Sequence, residues 1–323
     1  MRQAPTFAFL LALCLAWLTP LPARAAEIVL AHPGSPYGDT ILAVTKAIVE
    51  DRLGVQVRII HASAPVAFKA MDANRGDIDV LGSMQLPNSQ GMVDEYVTRK
   101  GTVVMARKHW EFQQGLCTTR TTADKYGMKT IYDMTRPEII HLTAKGGDIR
   151  GEYWVGAADW NATAIDKVRA RYYGLDQLYD LVTSQADLEY ARVASAIKSG
   201  APIFWACDTA SNFIFPRGAL VMLEEPPHDA AKWHPVLPSQ DPDWYEKSRI
   251  ETAWPPVRVH MAYAKHLQTD FPEVAHVLEG MDLTADMVGG WTYATVTEKR
   301  DLDEYAKEWV KNNAAIVDRW LAR

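Results

Sequence analysis

Glu27-Ile28-Val29-Leu30-Ala31, closed by His32-Pro33-Gly34, is the first beat of a repeating pattern that decides the architecture. An apolar pentapeptide ended by turn-forming residues reads as a buried strand entering a loop. Over residues 39–53, Ile41, Val44, Ile48, Val49 and Leu53 recur at helical spacing, and Gly54 supplies the stop. Residues 55–60 (VQVRII) are alternating and β-branched, which predicts a second strand. Residues 66–74 are helical again, Gly76 breaks them, and residues 78–81 (IDVL) form a third strand. Strand, helix, strand, helix, strand predicts a parallel sheet covered by helices. Such sheets hold ligands at the carboxyl ends of their strands. The loops in question are residues 32–37, 62–65 and 82–88.

Upstream of this unit, Met1, Arg2 and Gln3 precede the apolar run 7–18 (FAFLLALCLAWL), then Pro20, Pro22 and Ala23-Arg24-Ala25-Ala26. A positive start, a short apolar core and an A-x-A site form a secretory signal peptide, here residues 1–26. The apolar stretch is shorter than the ~20 residues that span a bilayer, which argues against a retained anchor. Cys14 comes directly after Leu13 inside the apolar core, a poor context for lipid attachment. The mature chain is expected in the periplasm, without access to ATP or nicotinamide cofactors.

Behind the leader remain about 300 residues, comfortable for two domains. Hydrophobic content of 48% and charged content of 23% describe a globular protein. Removing Arg2 and Arg24 leaves 32 basic residues against 40 acidic ones, so the net charge moves from −6 to −8. That balance, without basic clusters, speaks against nucleic acid or anionic membrane as a partner. No second apolar run approaches spanning length. Cys117 and Cys207 could form a disulfide or remain two buried thiols. No C-x-x-C or His-rich cluster suggests a metal, and no cofactor is expected.

A second α/β region begins near Leu116, with a loop at 153–160 (YWVGAADW) and helices at 163–173 and about 188–198. A buried strand at 202–205 (PIFW) runs into Cys207-Asp208-Thr209. From Glu224 the chain becomes loop-like and rich in proline, including Pro226, Pro227, Pro255 and Pro256. Residues 257–264 (VRVHMAYA) are one more strand. At the end Ala306, Trp309, Val310, Ile316, Val317, Trp320 and Leu321 make an apolar helical stripe.

An extracytoplasmic hydrolase is the competing class. The chain has no G-x-S-x-G elbow, no H-E-x-x-H helix and no catalytic cysteine signature. His32, Ser35 and Asp39 could meet at one loop, but these are common residues and no oxyanion motif accompanies them. A secreted two-domain α/β chain without catalytic motifs reads as a binding protein.

From Gly76-Asp77-Ile78-Asp79-Val80 and Leu86-Pro87-Asn88 onward, the chain resembles the glycine betaine, choline and proline betaine binding proteins of ABC importers. Gly151-Glu152-Tyr153-Trp154-Val155-Gly156-Ala157 through Trp160 is similar to that family's GEYWxGAPGW loop. Tyr173-Gly174-Leu175, Leu223-Glu224-Glu225-Pro226, Phe271-Pro272-Glu273 and the closing Trp309 to Leu321 segment come next, in family order. The resemblance implies a type II periplasmic-binding-protein fold, in which two α/β lobes joined by two crossover segments close on the ligand. Placed on this chain, lobe 1 is residues 27–115 plus 228–323, and lobe 2 is residues 116–227. Implied partners are a small solute, a membrane permease and its ATPase. A ligand-presenting protein for a sensor would use the same fold.

Family members hold a quaternary ammonium among aromatic faces by cation–π attraction. Trp160 matches one such ring, and the Asn161 and Ala162 amides are placed to receive an anionic group. The ring expected before LPN is replaced by Gln85 or Met84. The ring expected after the family's PVFYY run is replaced by Asp208, counting from Pro202 without a gap. An amide and a carboxylate suit a cation with N–H donors better than trimethylammonium. Tyr37, Trp205 and Phe213 could instead rebuild a cage, and His32 is a further candidate on the first loop. Each has a plainer reading: Trp160 and Trp205 as core rings, Asp208 as a helix cap before Thr209 and Ser211, Tyr37 as a staple for the adjoining helix.

Overall fold

Ile28, Val29, Leu30 and Ala31 are buried on an interior strand of a five-stranded sheet. The computed structural model describes residues 27–322, so the signal-peptide reading of residues 1–26 lies outside the described part. Strand β1 (Glu27–His32) leads into the helix Pro36–Leu53. Ser35 starts that helix by accepting the Gly38 N–H at 3.2 Å, Pro36 pre-sets its first turn, and Gly54 ends it at φ 68°. Strand β2 (Gln56–His61), the helix Ala64–Ala73 and strand β3 (Val80–Leu86) complete the predicted unit. Both β2 and β3 run parallel to β1.

Strand β4 (Val103–Phe112) then passes through the single residue Gln113 into β5 (Gln114–Thr119), which belongs to a second sheet. This change of sheet falls two residues before the boundary read from the sequence, because β4 and β5 are almost continuous and no composition break marks the crossing. The second sheet adds β6 (Gly151–Trp154), β7 (Tyr179–Val182), β8 (Phe204–Asp208) and β9 (Leu220–Met222), in the order β7-β6-β8-β5-β9. The chain returns through a small hairpin, β10 (Trp233–His234) with β11 (Arg249–Ile250), to β12 (Val257–Ala264). Strand β12 lies antiparallel between β3 and β4, giving the first sheet the order β2-β1-β3-β12-β4.

Alternation along the second sheet splits its core in two. Leu116, Tyr153 and Phe204 pack on one face, while their neighbours Cys117, Trp154 and Trp205 pack on the other. Cys117 and Cys207 are bonded as a disulfide between the adjacent strands β5 and β8, with Cα atoms 5.8 Å apart. The closing helices Leu302–Asn312 and Ala314–Leu321 bury Ala306, Val310, Val317 and Trp320 in the first core. No helix among the described residues is long and apolar enough to cross a membrane.

Candidate functional site

A cavity of about 60 Å³ lies between the two sheets. From the first come Pro33, Ser35 and Tyr37 after β1, then Ser83 and Gln85 on β3 and Asn88 beyond it. From the second come Gln114, Trp160, Asn161, Ala162, Tyr190, Asp208 and Ser211. Strand geometry explains the choice on β3. Ser83 and Gln85 share one face, while Met84 points to the other and is fully buried in the first core.

A chain of hydrogen bonds organises the first-lobe wall. Gln85 donates from Nε2 to the Tyr37 hydroxyl at 2.5 Å, and its Oε1 accepts from Asn88 Nδ2 at 2.8 Å. Asn88 Nδ2 also approaches Gln114 Oε1 at 3.4 Å. The Asn88–Gln114 contact already joins the two sheets, and two further bonds cross the cleft: Trp160 Nε1 donates to the Pro33 carbonyl at 3.2 Å, and Asn161 Nδ2 to the Asn88 carbonyl at 3.0 Å. Trp160 caps the helix Asn161–Tyr172 and meets Trp154 edge-on at 5.8 Å. The first amides of that helix carry the positive end of its dipole.

Asp208 ends β8 with its carboxylate buried at the cavity wall. It accepts the Ser211 N–H at 2.5 Å and the Ser211 hydroxyl at 2.9 Å, and Ser211 Oγ lies 3.1 Å from the Tyr190 hydroxyl. The capping and cavity-lining readings of Asp208 therefore coincide in one residue. Burial pushes its carboxyl up to about 6, and the Ser211 donors pull only partly back. Burial, and then the Asp208 charge, also raise the Tyr37 and Tyr190 hydroxyls. Among the described residues no Lys or Arg lines the cavity. Two polar atoms in its walls, Ser83 Oγ and Asn88 Oδ1, are buried without a hydrogen-bond partner.

Four candidates lie outside the cavity lining. Met84 is excluded by strand register. Trp205 is fully buried beside Cys117 and Trp154, because its place on β8 turns it into the second-lobe core. Phe213 packs instead on the helix Ala285–Thr292, its ring 2.9 Å from where a Cβ on Gly289 would stand. His32 is buried beside Asp39 and His61, with its Nε2 2.8 Å from Asp39 Oδ1 and the His61 Nε2 3.5 Å from the same oxygen. These three have the spacing of a metal site, but the Gly34 N–H approaches His32 Nδ1 at 3.1 Å. That contact occupies Nδ1, and Asp39 sits close to Nε2 without the alignment of a hydrogen bond.

Ser83, Gln114, Tyr190 and Ser211 join the site without a motif in the sequence to mark them, and Asn88 joins it from the Leu86-Pro87-Asn88 motif, which does not single it out as a contact. Ser83 and Asn88 both fall within residues 82–88, read from the sequence as a loop, but β3 continues to Leu86, so Ser83 lies on the strand, where period-2 counting from Gln85 reaches it, and Asn88 just beyond. Tyr190 and Gln114 reach the cavity only through tertiary packing.

A mixed five-stranded sheet on each side of an interlobe cleft, with two chain crossings, is the architecture of a two-lobed binding protein. The family model described as the substrate binding domain of ABC-type glycine betaine transport systems matches residues 26–312, and the chain belongs to that family. It is thus a solute-binding component of an ABC transport system, in a family of binding proteins rather than enzymes. Among solved structures, it is similar to lactococcal OpuAC in a closed conformation with glycine betaine, at 16% identity and TM-score 0.69, over 92% of this chain and 99% of that one. An ABC-transporter choline binding protein in complex with choline matches at 18% identity and TM-score 0.69, over 94% and 93%. The glycine betaine and L-proline binding protein ProX of Borrelia burgdorferi matches at 16% identity and TM-score 0.67, over 91% and 96%. At these identities the likeness is one of fold, a type II periplasmic binding protein. Among curated protein sequences none matches this chain.

Proposed function

We propose that the cleft captures a small cationic or zwitterionic solute in the periplasm and delivers it to a membrane permease driven by an ATPase. The observation that carries this reading is Asp208, a buried acid facing the cavity with no basic side chain in the lining. A cation entering the cleft would supply the missing charge. The Trp160 face adds cation–π attraction of ~0.5–2 kcal/mol, with Tyr37 and Gln85 shaping the opposite wall. A zwitterion would place its carboxylate on the Asn161 and Ala162 amides, where the helix dipole favours it. The family, and the onium ligands named for the similar structures, support the same solute class.

The lobes are taken to divide at Gln113 and in the segment after Met222, so that closure bends these two crossings. The interlobe bonds of Trp160 and Asn161 would form on closure and present a surface that the permease reads. Residues 1–26 are taken as the export signal. No bond of the solute is made or broken.

Thermal unfolding of the mature chain with glycine betaine, choline, carnitine, proline, basic amino acids and polyamines tests this. A ligand at ~100 times its Kd adds about 2.7 kcal/mol, a shift of a few degrees. No shift with any cation or zwitterion would defeat the proposal.

A further inference from the structure

We propose that the captured head group is an ammonium carrying N–H bonds, a primary or secondary amine, held by Asp208, Asn88 and Ser83 rather than a fully methylated ammonium. This deepens the solute-capture reading and rests on it. Three buried acceptors belong to residues that line the space, beside the exposed carboxylate of Asp159. Asn88 directs its Nδ2 at Gln85 Oε1 and Gln114 Oε1, which leaves Oδ1 as an acceptor, and that atom is buried without a partner. Ser83 Oγ, one β-strand period from Gln85, is buried and unpartnered in the same cavity. Asp208 accepts twice from Ser211, yet two carboxylate oxygens have room for further donors. Buried acceptors are costly to leave unmade, so the molecule that fills this space should bring donors to all three.

A trimethylated head cannot. It offers no N–H, and it would press methyl groups against Asn88 Oδ1 and Ser83 Oγ. Nor can Gln85 turn to help, since its Nε2 is held by the Tyr37 hydroxyl and its Oε1 by Asn88. A primary or secondary ammonium instead points its hydrogens at these oxygens and still lies against Trp160.

The test is calorimetric titration of the mature chain with two graded series. One runs from ethanolamine through its N-methyl and N,N-dimethyl forms to choline, and the other from glycine through sarcosine and dimethylglycine to glycine betaine. Tightest binding is expected at the unmethylated or monomethyl member, with a loss of about tenfold or more at the trimethylated end of that series. Ser83→Ala should then weaken the N–H ligand by about 3–10-fold and leave the trimethylated one unchanged. Tightest binding of choline or glycine betaine, indifferent to Ser83→Ala, would overturn this inference while leaving solute capture intact. Binding of neither series, nor of lysine, arginine or putrescine, would remove the cationic-solute reading and this inference together.

Discussion

Asp166 and Asp208 are buried carboxylates of the same lobe, and burial pushes both upward, yet the fold treats them in opposite ways. Asp166 touches Arg169 Nη1 one helical turn away and accepts the Trp254 indole N–H at 3.0 Å. Arg169, almost fully buried, turns its Nη2 to Glu225, which also accepts the Tyr173 hydroxyl at 2.9 Å. This cluster ties the helix Asn161–Tyr172 to Glu225 in the crossing segment and to Trp254 in the return segment. Asp208 is held by the two Ser211 donors and the Ala210 backbone N–H, with no cation beside it among the described residues. Where the acid holds the lobes' connection together, the chain supplies its own cation. Where the acid faces the cleft, that place is left for something from outside.

The largest effect should come from removing the internal cation. Arg169→Met leaves Asp166 and Glu225 buried and unpaired, and should destabilise the protein by about 3–5 kcal/mol. Chemical denaturation measures this; a loss under about 1 kcal/mol would make the two carboxylates alike and end the contrast.

Asp208→Asn should do the reverse to the free protein. The folded carboxyl titrates near 6, above its unfolded value of 3.8. The folded state therefore holds a proton that the unfolded chain has lost, and stability falls as pH rises from about 4 to 6. Asparagine still accepts the Ser211 N–H on its one oxygen, can donate its amide to the Ser211 hydroxyl and has no charge to bury, so at pH 7 the free variant should match or exceed wild type, by up to ~2–3 kcal/mol. Its affinity for cations should drop, and wild-type affinity should rise with pH through 6, where the variant's stays flat. Stability curves with parallel pH slopes for the two proteins would return Asp208 to a purely capping role. Trp160→Ala comes next: it should weaken the solute by about 1–3 kcal/mol in a titration while the fold survives. Unchanged affinity would remove Trp160 from the site.

The same contrast shows what the sequence can disclose. Strand and helix periods from Glu27 to Leu81 mark the first unit because local burial alternates with local structure. Counting along one strand reaches Asp208, and a loop motif reaches Trp160. The Gln113 crossing is displaced in the sequence reading because one residue between two strands leaves no local signal. Met84 and Gln85 are equivalent alternatives by spacing, and only the strand's buried face separates them. Trp205 and Phe213 resemble cage rings because aromatic residues serve cores and cages equally well. The Arg169 cluster joins residues far apart in sequence, and composition carries no trace of it.

The smallest effect concerns Ser35, which lines the cavity but whose hydroxyl already accepts the Gly38 N–H at 3.2 Å. A hydroxyl in that position is satisfied by the fold, like Asp166 and unlike Asn88 Oδ1. Ser35→Ala should therefore cost about 1 kcal/mol of stability, the usual value of an N-cap, and leave solute affinity unchanged. His32 Nδ1 is likewise engaged by the Gly34 N–H, so the pair is not arranged as nucleophile and base. Titration and denaturation of this one variant separate the roles. A fall in affinity larger than the fall in stability would place Ser35 among the residues that hold the solute, and any ester or amide turnover abolished by the change would revive the hydrolase alternative.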